Sequence, residues 1–219
     1  MTSADHVSAV VRRCRAVLGD PVTWVSPGGY PGSLALCTID AIWSIGIRYS
    51  NVEGVIVRYR KSVENADHHD LTDLLAAIDR AGGTDAWRSR VGTRHRTSSR
   101  GGIYKAGAVA QAASALVALG LNSTSDLAQA TPPKLTHGEE AWRAVRGQRS
   151  GISWHYFLIL AGVDDVKPDR MVCAFLKKAV PSMPDPGTAR ALVLAAAREM
   201  QVSARTLDHR IWRYQSGRL

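Results

Sequence analysis

Hydrophobic residues recur along this chain at the spacing of amphipathic helices. Apolar side chains three and four positions apart mark the segments 7–11, 39–47, 71–78 and 108–119. The strict alternation of a half-buried strand is hard to find. The pattern predicts an all-α protein of about ten helices, given ordinary helix and loop lengths.

Glycine and proline divide these helical segments. The breaks fall at 19–33, 82–83, 101–102, 131–133 and 181–187. None of them has the length or composition of a long disordered linker. The 219 residues, 45% of them hydrophobic, are enough for one large domain or two small ones around a well-packed core.

The charge balance narrows the class of partner. Lys and Arg number 28 against 19 Asp and Glu, a net charge of +9, which indicates nucleic acid or, less readily, an acidic membrane face. No stretch of 18 apolar residues occurs, and the N-terminal segment is charged throughout, unlike a secretory signal. We therefore expect a cytoplasmic protein without a membrane partner.

The strongest concentration of cations lies between residues 87 and 105. Arginines there alternate with Gly, Ser and Thr, and no acidic residue interrupts them. Flexible cations and free backbone N–H groups suit contacts with phosphate oxygens. The alternative is a loop that is merely solvated.

A helical hairpin is predicted further along the chain. Residues 138–145 form the first helix, RGQRSG at 146–151 a tight turn, and the apolar segment 152–162 the second helix. Gly147 and Gly151 would let backbone N–H groups point outward at the start of the second helix, where the helix dipole favours an anion. Glycine turns also serve as ordinary connectors.

A carboxylate follows the hairpin at a predicted helix start. Asp169 comes directly after Pro168, and proline suits the first turn of a helix while Asp is a preferred N-cap. Capping alone is one explanation of this residue. Catalysis is the other, and it depends on the hairpin that precedes it.

The order and spacing of these features resembles the helix-hairpin-helix DNA glycosylase superfamily, the group of endonuclease III. Residues 145–149 take the place of the family's hairpin, 152–160 that of its apolar helix, and Asp169 that of its catalytic aspartate. Segments 39–59 and 101–116 look like the family's other DNA-contacting blocks.

The resemblance implies an all-α fold with two helical lobes around a cleft. The whole chain, 1–219, would form a single glycosylase-like unit. One lobe would contain 1–34, 181–219 and the hairpin-bearing segment 135–180, and the other lobe 35–134.

The resemblance also implies a monofunctional DNA glycosylase that flips a base out of the duplex and hydrolyses its N-glycosidic bond. A carboxylate near the sugar stabilises the developing cation and orients the attacking water. Gly151 stands where bifunctional members carry a lysine nucleophile, so no lyase activity is expected. Cys14, Cys37 and Cys173 do not match the family's iron–sulfur ligands.

The implied contacts fall into two groups, and no cofactor or protein-bound metal is expected apart from a possible hairpin-bound cation that bridges to DNA. The base pocket candidates are Asp40, Trp43, Arg48, Tyr49, Trp154, His155 and Tyr156. The DNA backbone candidates are Arg94, Arg96, Arg100, Lys105, Arg146, Gly147, Arg149, Gly151 and Lys167. For each aromatic residue core packing is the alternative, and for Asp40 it is hydrogen bonding to backbone or arginine.

Other functions stay open at this level. A non-catalytic helix-hairpin-helix protein would bind double-stranded DNA without excising a base, and an all-α regulator of protein or RNA would show no preference for duplexes. Within the enzyme hypothesis, base-excision repair and defence against modified phage DNA need the same scaffold, and the target base is not fixed. We expect a monomer.

Overall fold

The computed structural model of the protein describes residues 3–182 and 185–218. Its α-helices, numbered in chain order, are α1 (Ser3–Val17), α2 (Leu34–Trp43), α3 (Tyr49–Ser62), α4 (Leu71–Arg80), α5 (Thr84–Val91), α6 (Lys105–Ala118), α7 (Thr124–Ala128), α8 (Pro132–Ala144), α9 (Ile152–Leu160), α10 (Arg170–Lys177), α11 (Pro186–Glu199) and α12 (Ala204–Gln215). Two short 3₁₀ helices cover Pro21–Thr23 and Ala66–His68.

The prediction of an all-α protein is confirmed. Within the described ranges no strand forms, and the one isolated β-bridge pairs Arg96 with Tyr104. The described residues form twelve α-helices. They outnumber the prediction because a helix as short as α7, with five residues, contains too little of an apolar period to be recognised.

The helix starts follow ordinary capping chemistry. Ser33, Asp70, Ser123 and Asp185 accept backbone N–H groups at the first turns of α2, α4, α7 and α11. The predicted break at 131–133 instead begins a helix, because proline is tolerated in a first turn where no N–H partner is needed. Helix α8 therefore starts at Pro132, earlier than the predicted 138.

The chain divides into two compact units. The first contains residues 1–28 and 163–219, and the second contains residues 29–162. These bounds differ from the predicted lobes, because the segment 135–162 belongs to the same unit as 35–134. The hairpin therefore lies in the second unit and Asp169 in the first.

The first unit contains α1, α10, α11 and α12. Helix α1 packs on α11, and α12 packs on both α10 and α11. The core of this unit includes the fully buried side chains of Cys14, Phe175, Val193, Leu207 and Ile211. This packing fixes the start of α10, and with it the position of Asp169.

The second unit is built around α2. Every residue of α2 is buried, and the helix contacts α3, α4, α6 and α9. The alanine-rich face of α6 packs against α2 and α4, which allows a close approach of the helices. In the part of the chain that the structure describes, no helix is long and apolar enough to cross a membrane.

Candidate nucleic-acid interface and carboxylate sites

The predicted helical hairpin is present in the second unit. Helices α8 and α9 are joined by a turn in which Gly147 has φ +93° and Gly151 has φ +74°. Both values lie in the left-handed region that favours glycine. Within the turn, the N–H of Gln148 donates to Val145 O at 2.9 Å, and the N–H of Gly151 donates to Gln148 O at 3.0 Å.

Hydrogen bonds between buried side chains connect the two helices of the hairpin to its turn. The indole N–H of Trp142 donates to Ser153 Oγ at 2.8 Å, and that hydroxyl donates to Gln148 Oε1 at 2.6 Å. The N-cap of α9, Gly151, offers no side chain to its first turn. The dipole of α9 places partial positive charge at this turn, while the N–H of Ile152 already donates to Ser150 Oγ at 3.4 Å and that of Trp154 to Gly151 O at 3.0 Å.

The arginine-rich segment between α5 and α6, residues 92–104, which we call the basic loop, packs directly on this hairpin. A Cβ atom built on Gly147 would lie 2.4 Å from Thr97 Cβ, and one built on Gly101 would lie 3.4 Å from Arg146 Nη2. The structure thus joins two cationic segments that are separated by more than forty positions in the sequence. The exposed arginines on these two segments are Arg94, Arg96, Arg100, Arg146 and Arg149.

Lys105 does not belong to this basic surface, and its predicted role in phosphate contact is wrong. Its side chain is 1% exposed, and Nζ donates to Trp43 O at 2.8 Å and to Ile45 O at 2.6 Å. Burial lowers the pKa of this ammonium to about 8. Lys105 caps the carbonyls at the end of α2 and ties the following turn to the basic loop.

Two predicted pocket aromatics are core residues. Trp43 packs edge to face on Trp87, with 6.1 Å between the ring centroids, and it is fully buried. Trp154 stacks on Phe157 at 5.3 Å and is 2% exposed. Neither ring has a face free to stack on a base, so their prediction as pocket residues is wrong. The packing alternative describes both.

A second set of predicted pocket residues meets at a buried carboxylate. Asp40 is fully buried on α2, accepts the Tyr30 hydroxyl at Oδ2 at 2.9 Å, and accepts the Ser44 hydroxyl at Oδ1 at 2.7 Å. Burial, and after it the charge of Asp40, raises the pKa of Tyr156 and raises that of Tyr49 to about 12. We call Tyr30, Asp40, Ser44, Tyr49 and Tyr156 the hydroxyl cluster.

The hydroxyl cluster was only partly foreseen. Asp40, Tyr49 and Tyr156 were candidates, whereas Tyr30 and Ser44 lie in loop positions without any periodic signal. Asp40 is predicted as a pocket residue, with hydrogen bonding to backbone or arginine as the alternative, and the partners described above for it are the hydroxyls of Tyr30 and Ser44. Tyr49 is 40% exposed at the start of α3, next to exposed Arg48, and His155 is half-buried on α9.

In the first unit, Asp169 is the N-cap of α10, as its sequence context predicted. Its Oδ1 accepts the N–H of Met171 at 2.7 Å and of Val172 at 3.2 Å. Its Oδ2 lies 4.0 Å from Lys167 Nζ, and the side chain is 23% exposed. One carboxylate oxygen thus fixes the helix start, and the second faces a cation.

Asp208 on α12 anchors the turn before Asp169, and no sequence pattern predicts this contact. It accepts the N–H of Lys167 at 3.0 Å, while Lys167 O accepts the N–H of Asp169 at 2.7 Å. Burial raises the pKa of Asp208 to about 8, and the nearby charge of Asp169 adds to the effect. The neighbouring Asp165 pairs with Arg190 at 2.6 Å.

The described parts of the chain therefore form an all-α protein with a cationic glycine hairpin and a partly exposed aspartate at a helix start. By sequence the chain belongs to the family described as Domain of unknown function (DUF8548), which it matches over residues 8–216. No curated protein and no solved structure matches it.

Proposed function

We propose that this protein is a monofunctional DNA glycosylase that excises a damaged or modified base from double-stranded DNA. The observation that carries the proposal is the packing of the basic loop on the glycine hairpin, Thr97 against Gly147. It supports DNA binding because it assembles the exposed arginines of both segments beside the positive end of the α9 dipole, where phosphates can be held.

The hairpin side of this surface fixes the register of the duplex. Arg146 and Arg149 are exposed on the turn, and the start of α9 supplies the partial positive charge of its dipole. Arg94, Arg96 and Arg100 extend the surface along the basic loop. Such contacts position a duplex without reading its sequence, as an enzyme that scans DNA for one altered base requires.

Asp169 is the proposed catalytic residue. Oδ1 is committed to the first turn of α10, which leaves Oδ2 to stabilise the cationic sugar and to orient the attacking water. In the hydrolysis the C1′–N bond breaks, the oxygen of water bonds to C1′, and the proton that this water loses is balanced by protonation of the departing base anion, which leaves as the neutral base. Lys167, 4.0 Å from Oδ2, would contact a neighbouring phosphate.

Further residues would define the reaction class and the base. By the resemblance, Gly151 takes the position of the lysine nucleophile, so the expected product is an intact abasic site without a Schiff-base step. The hydroxyl cluster supplies polar groups for a flipped base through Tyr49 and Tyr156, with Arg48 and His155 beside them. Damaged bases in cellular DNA and modified bases in phage DNA are both candidate substrates.

One observation favours a second function, that of a DNA-binding protein without catalysis. Asp169 makes the contacts of an ordinary helix cap, and its remaining oxygen faces Lys167. A carboxylate kept only for capping would show the same geometry. The two functions agree on DNA binding and differ in base release.

The experiment is an assay of base release on a panel of duplexes. The panel contains alkylated, oxidised and deaminated DNA and naturally hypermodified phage genomes, and abasic sites are detected by alkaline cleavage. We expect alkali-labile sites in one class of substrate and no borohydride-trapped adduct. Binding without release on every substrate would replace the glycosylase by the non-catalytic protein, and absence of duplex binding would overturn both.

A further inference from the structure

A groove lies at the end of α5, beside the basic loop but apart from the hairpin. Its volume is about 280 Å³, and it is lined by Arg88, Ser89, Gly92, Thr93 and Arg94. None of the five lining residues is acidic. Arg94 already belongs to the proposed DNA-binding surface, and the groove would extend that surface to Arg88, Ser89, Gly92 and Thr93.

The guanidinium group of Arg88 is held in place before any ligand arrives. Its Cζ lies 4.1 Å from the ring centroid of Tyr104, and its Nε donates to Asp85 Oδ1 at 3.3 Å. Arg96 packs on the same ring at 4.2 Å. A cation fixed on an aromatic ring loses less side-chain entropy when it binds an anion than a free surface arginine does.

The backbone at the floor of the groove is also fixed. A Cβ atom on Gly92 would lie 2.9 Å from Arg88 O and 3.2 Å from Trp43 Cζ2, so only glycine lets the chain pass this close. The next hydroxyl, Thr93 Oγ1, accepts the indole N–H of Trp43 at 3.3 Å. These contacts hold the groove rigid at the point where the basic loop begins.

The lining offers two guanidinium groups, whose planar N–H donors suit phosphate oxygens, whereas its hydroxyls are already engaged: Ser89 Oγ donates to Asp85 O at 3.1 Å, and Thr93 Oγ1 is hydrogen-bonded to His95 Nδ1. The nearby carboxylate of Asp85 is 83% exposed and already engaged with Arg88, so it opposes an anion only weakly. The chemistry of the groove therefore favours a phosphate group over a cation or an apolar ligand.

We propose that this groove is a second phosphate-binding site, which holds a phosphodiester of the DNA backbone through Arg88 and Arg94. The inference rests on the proposed function for the identity of the ligand. The basic loop would then contact the duplex at two places. One is the groove at the start of the loop, and the other is the surface beside Thr97, where the loop packs on the hairpin. Two separated contacts would fix the direction of the duplex across the second unit.

The test compares two arginines of the same helix. Arg88→Ala and Arg90→Ala each remove one positive charge from α5, but Arg90 lines a different, smaller pocket with Arg80 and Trp87. The salt dependence of binding to an unmodified duplex is measured for both. We expect Arg88→Ala to lower the slope of log K against log [salt] by about 0.9, the value for one phosphate, and Arg90→Ala to leave it unchanged.

Equal slopes for the two variants would overturn the proposal, since the effect would then be that of overall charge. Arg88→Lys is the control for folding, because it keeps the positive charge and loses only the planar guanidinium group. Its affinity for the duplex should lie between the affinities of wild type and Arg88→Ala. If the wild type binds no duplex, the proposed function fails by itself. Titration with inorganic phosphate then decides: saturable amide shifts at Gly92, Thr93 and Arg94 support the groove, and unshifted amides overturn it.

Discussion

Gly147 in the hairpin and Thr97 in the basic loop approach so closely that no side chain fits between them. A Cβ atom on Gly147 would lie 2.4 Å from Thr97 Cβ and 2.6 Å from its Oγ1. Among the described residues, the Thr97 hydroxyl and the Gln148 amide nitrogen beside this contact have no hydrogen-bond partner and are buried. The contact joins the two basic segments, so the account of DNA binding depends on it.

Gly147→Ala should separate the loop from the hairpin. The alanine would have to adopt φ +93°, which costs about 1–3 kcal/mol of folding stability at a strained backbone position. Its Cβ atom would also clash with Thr97, so we expect a larger loss than the backbone alone causes. Affinity for duplex DNA should fall with it. Urea unfolding and a binding titration measure the two effects.

Gly46→Ala is the matched control for that substitution. Gly46 has φ +68° in the same unit, and nothing lies within 4 Å of the added Cβ atom. It should therefore lose about 1 kcal/mol from the backbone alone and keep its DNA affinity. Equal losses of stability and of DNA affinity in the two variants would show that the contact with Thr97 contributes to neither.

Lys105→Met should change how stability depends on alkaline pH. Burial lowers the pKa of Lys105 from 10.5 to about 8 in the folded protein. Between these pH values the unfolded chain binds more protons than the folded protein. The free energy of unfolding that depends on Lys105 therefore increases as pH rises. The stability difference, wild type minus variant, should grow by up to about 3 kcal/mol over that window.

The measurement is urea unfolding of both proteins at pH 7.5, 8.5 and 9.5. Cysteines and tyrosines that are buried in the folded protein titrate in this range only in the unfolded chain, because burial raises their pKa values, and their effect is common to both proteins and cancels in the difference. The variant should be less stable throughout, since the carbonyls of Trp43 and Ile45 lose their donor. A difference that stays constant with pH would contradict the assignment of Lys105 as a buried, desolvated cap.

Asp208→Asn should make the first unit more stable than wild type, and the difference should grow as pH rises. In the folded protein the pKa of Asp208 is raised to about 8, whereas in the unfolded chain this carboxyl ionises near 4. Between these pH values the folded protein binds one more proton than the unfolded chain, so the free energy of unfolding falls as pH rises. Asp169, Asp165 and Lys167 are the charged groups that face it, and Asp169 and Asp165 raise its pKa.

Asparagine keeps an oxygen for the N–H of Lys167 and cannot ionise. We therefore expect the variant to gain more than about 1 kcal/mol on wild type between pH 4.5 and pH 7.5, measured by urea unfolding at each pH. A gain that does not change with pH would mean that Asp208 ionises normally in the folded protein.

The sequence predicted the elements whose signals are local. Apolar periodicity identified the helices, glycine spacing identified the turn between α8 and α9, and Pro168 followed by Asp169 identified the cap of α10. These features depend on a few neighbouring residues. The local physics of helix formation and capping decides them before tertiary packing does.

Features that depend on distant residues were missed or wrong. Lys105 was grouped with the arginines near it in sequence, but the fold turns it inward to the end of α2. Tyr30 and Ser44 meet Asp40, and Asp208 reaches Lys167, through packing that no single segment encodes. The compact units group 135–162 with 29–134, which differs from the predicted lobes, because helix boundaries do not indicate which helices pack together.

The central claim is that the Asp169 carboxylate performs the chemistry, and single-turnover base release by Asp169→Asn tests it most directly. Asparagine caps helices as well as aspartate does, so the start of α10 should persist. Asp185→Asn, which changes the N-cap of α11 in the same unit, is the matched control. We predict that Asp169→Asn binds substrate DNA like wild type and releases base at least about 100-fold more slowly, while Asp185→Asn is unaffected. Release by Asp169→Asn at the wild-type rate would contradict the account.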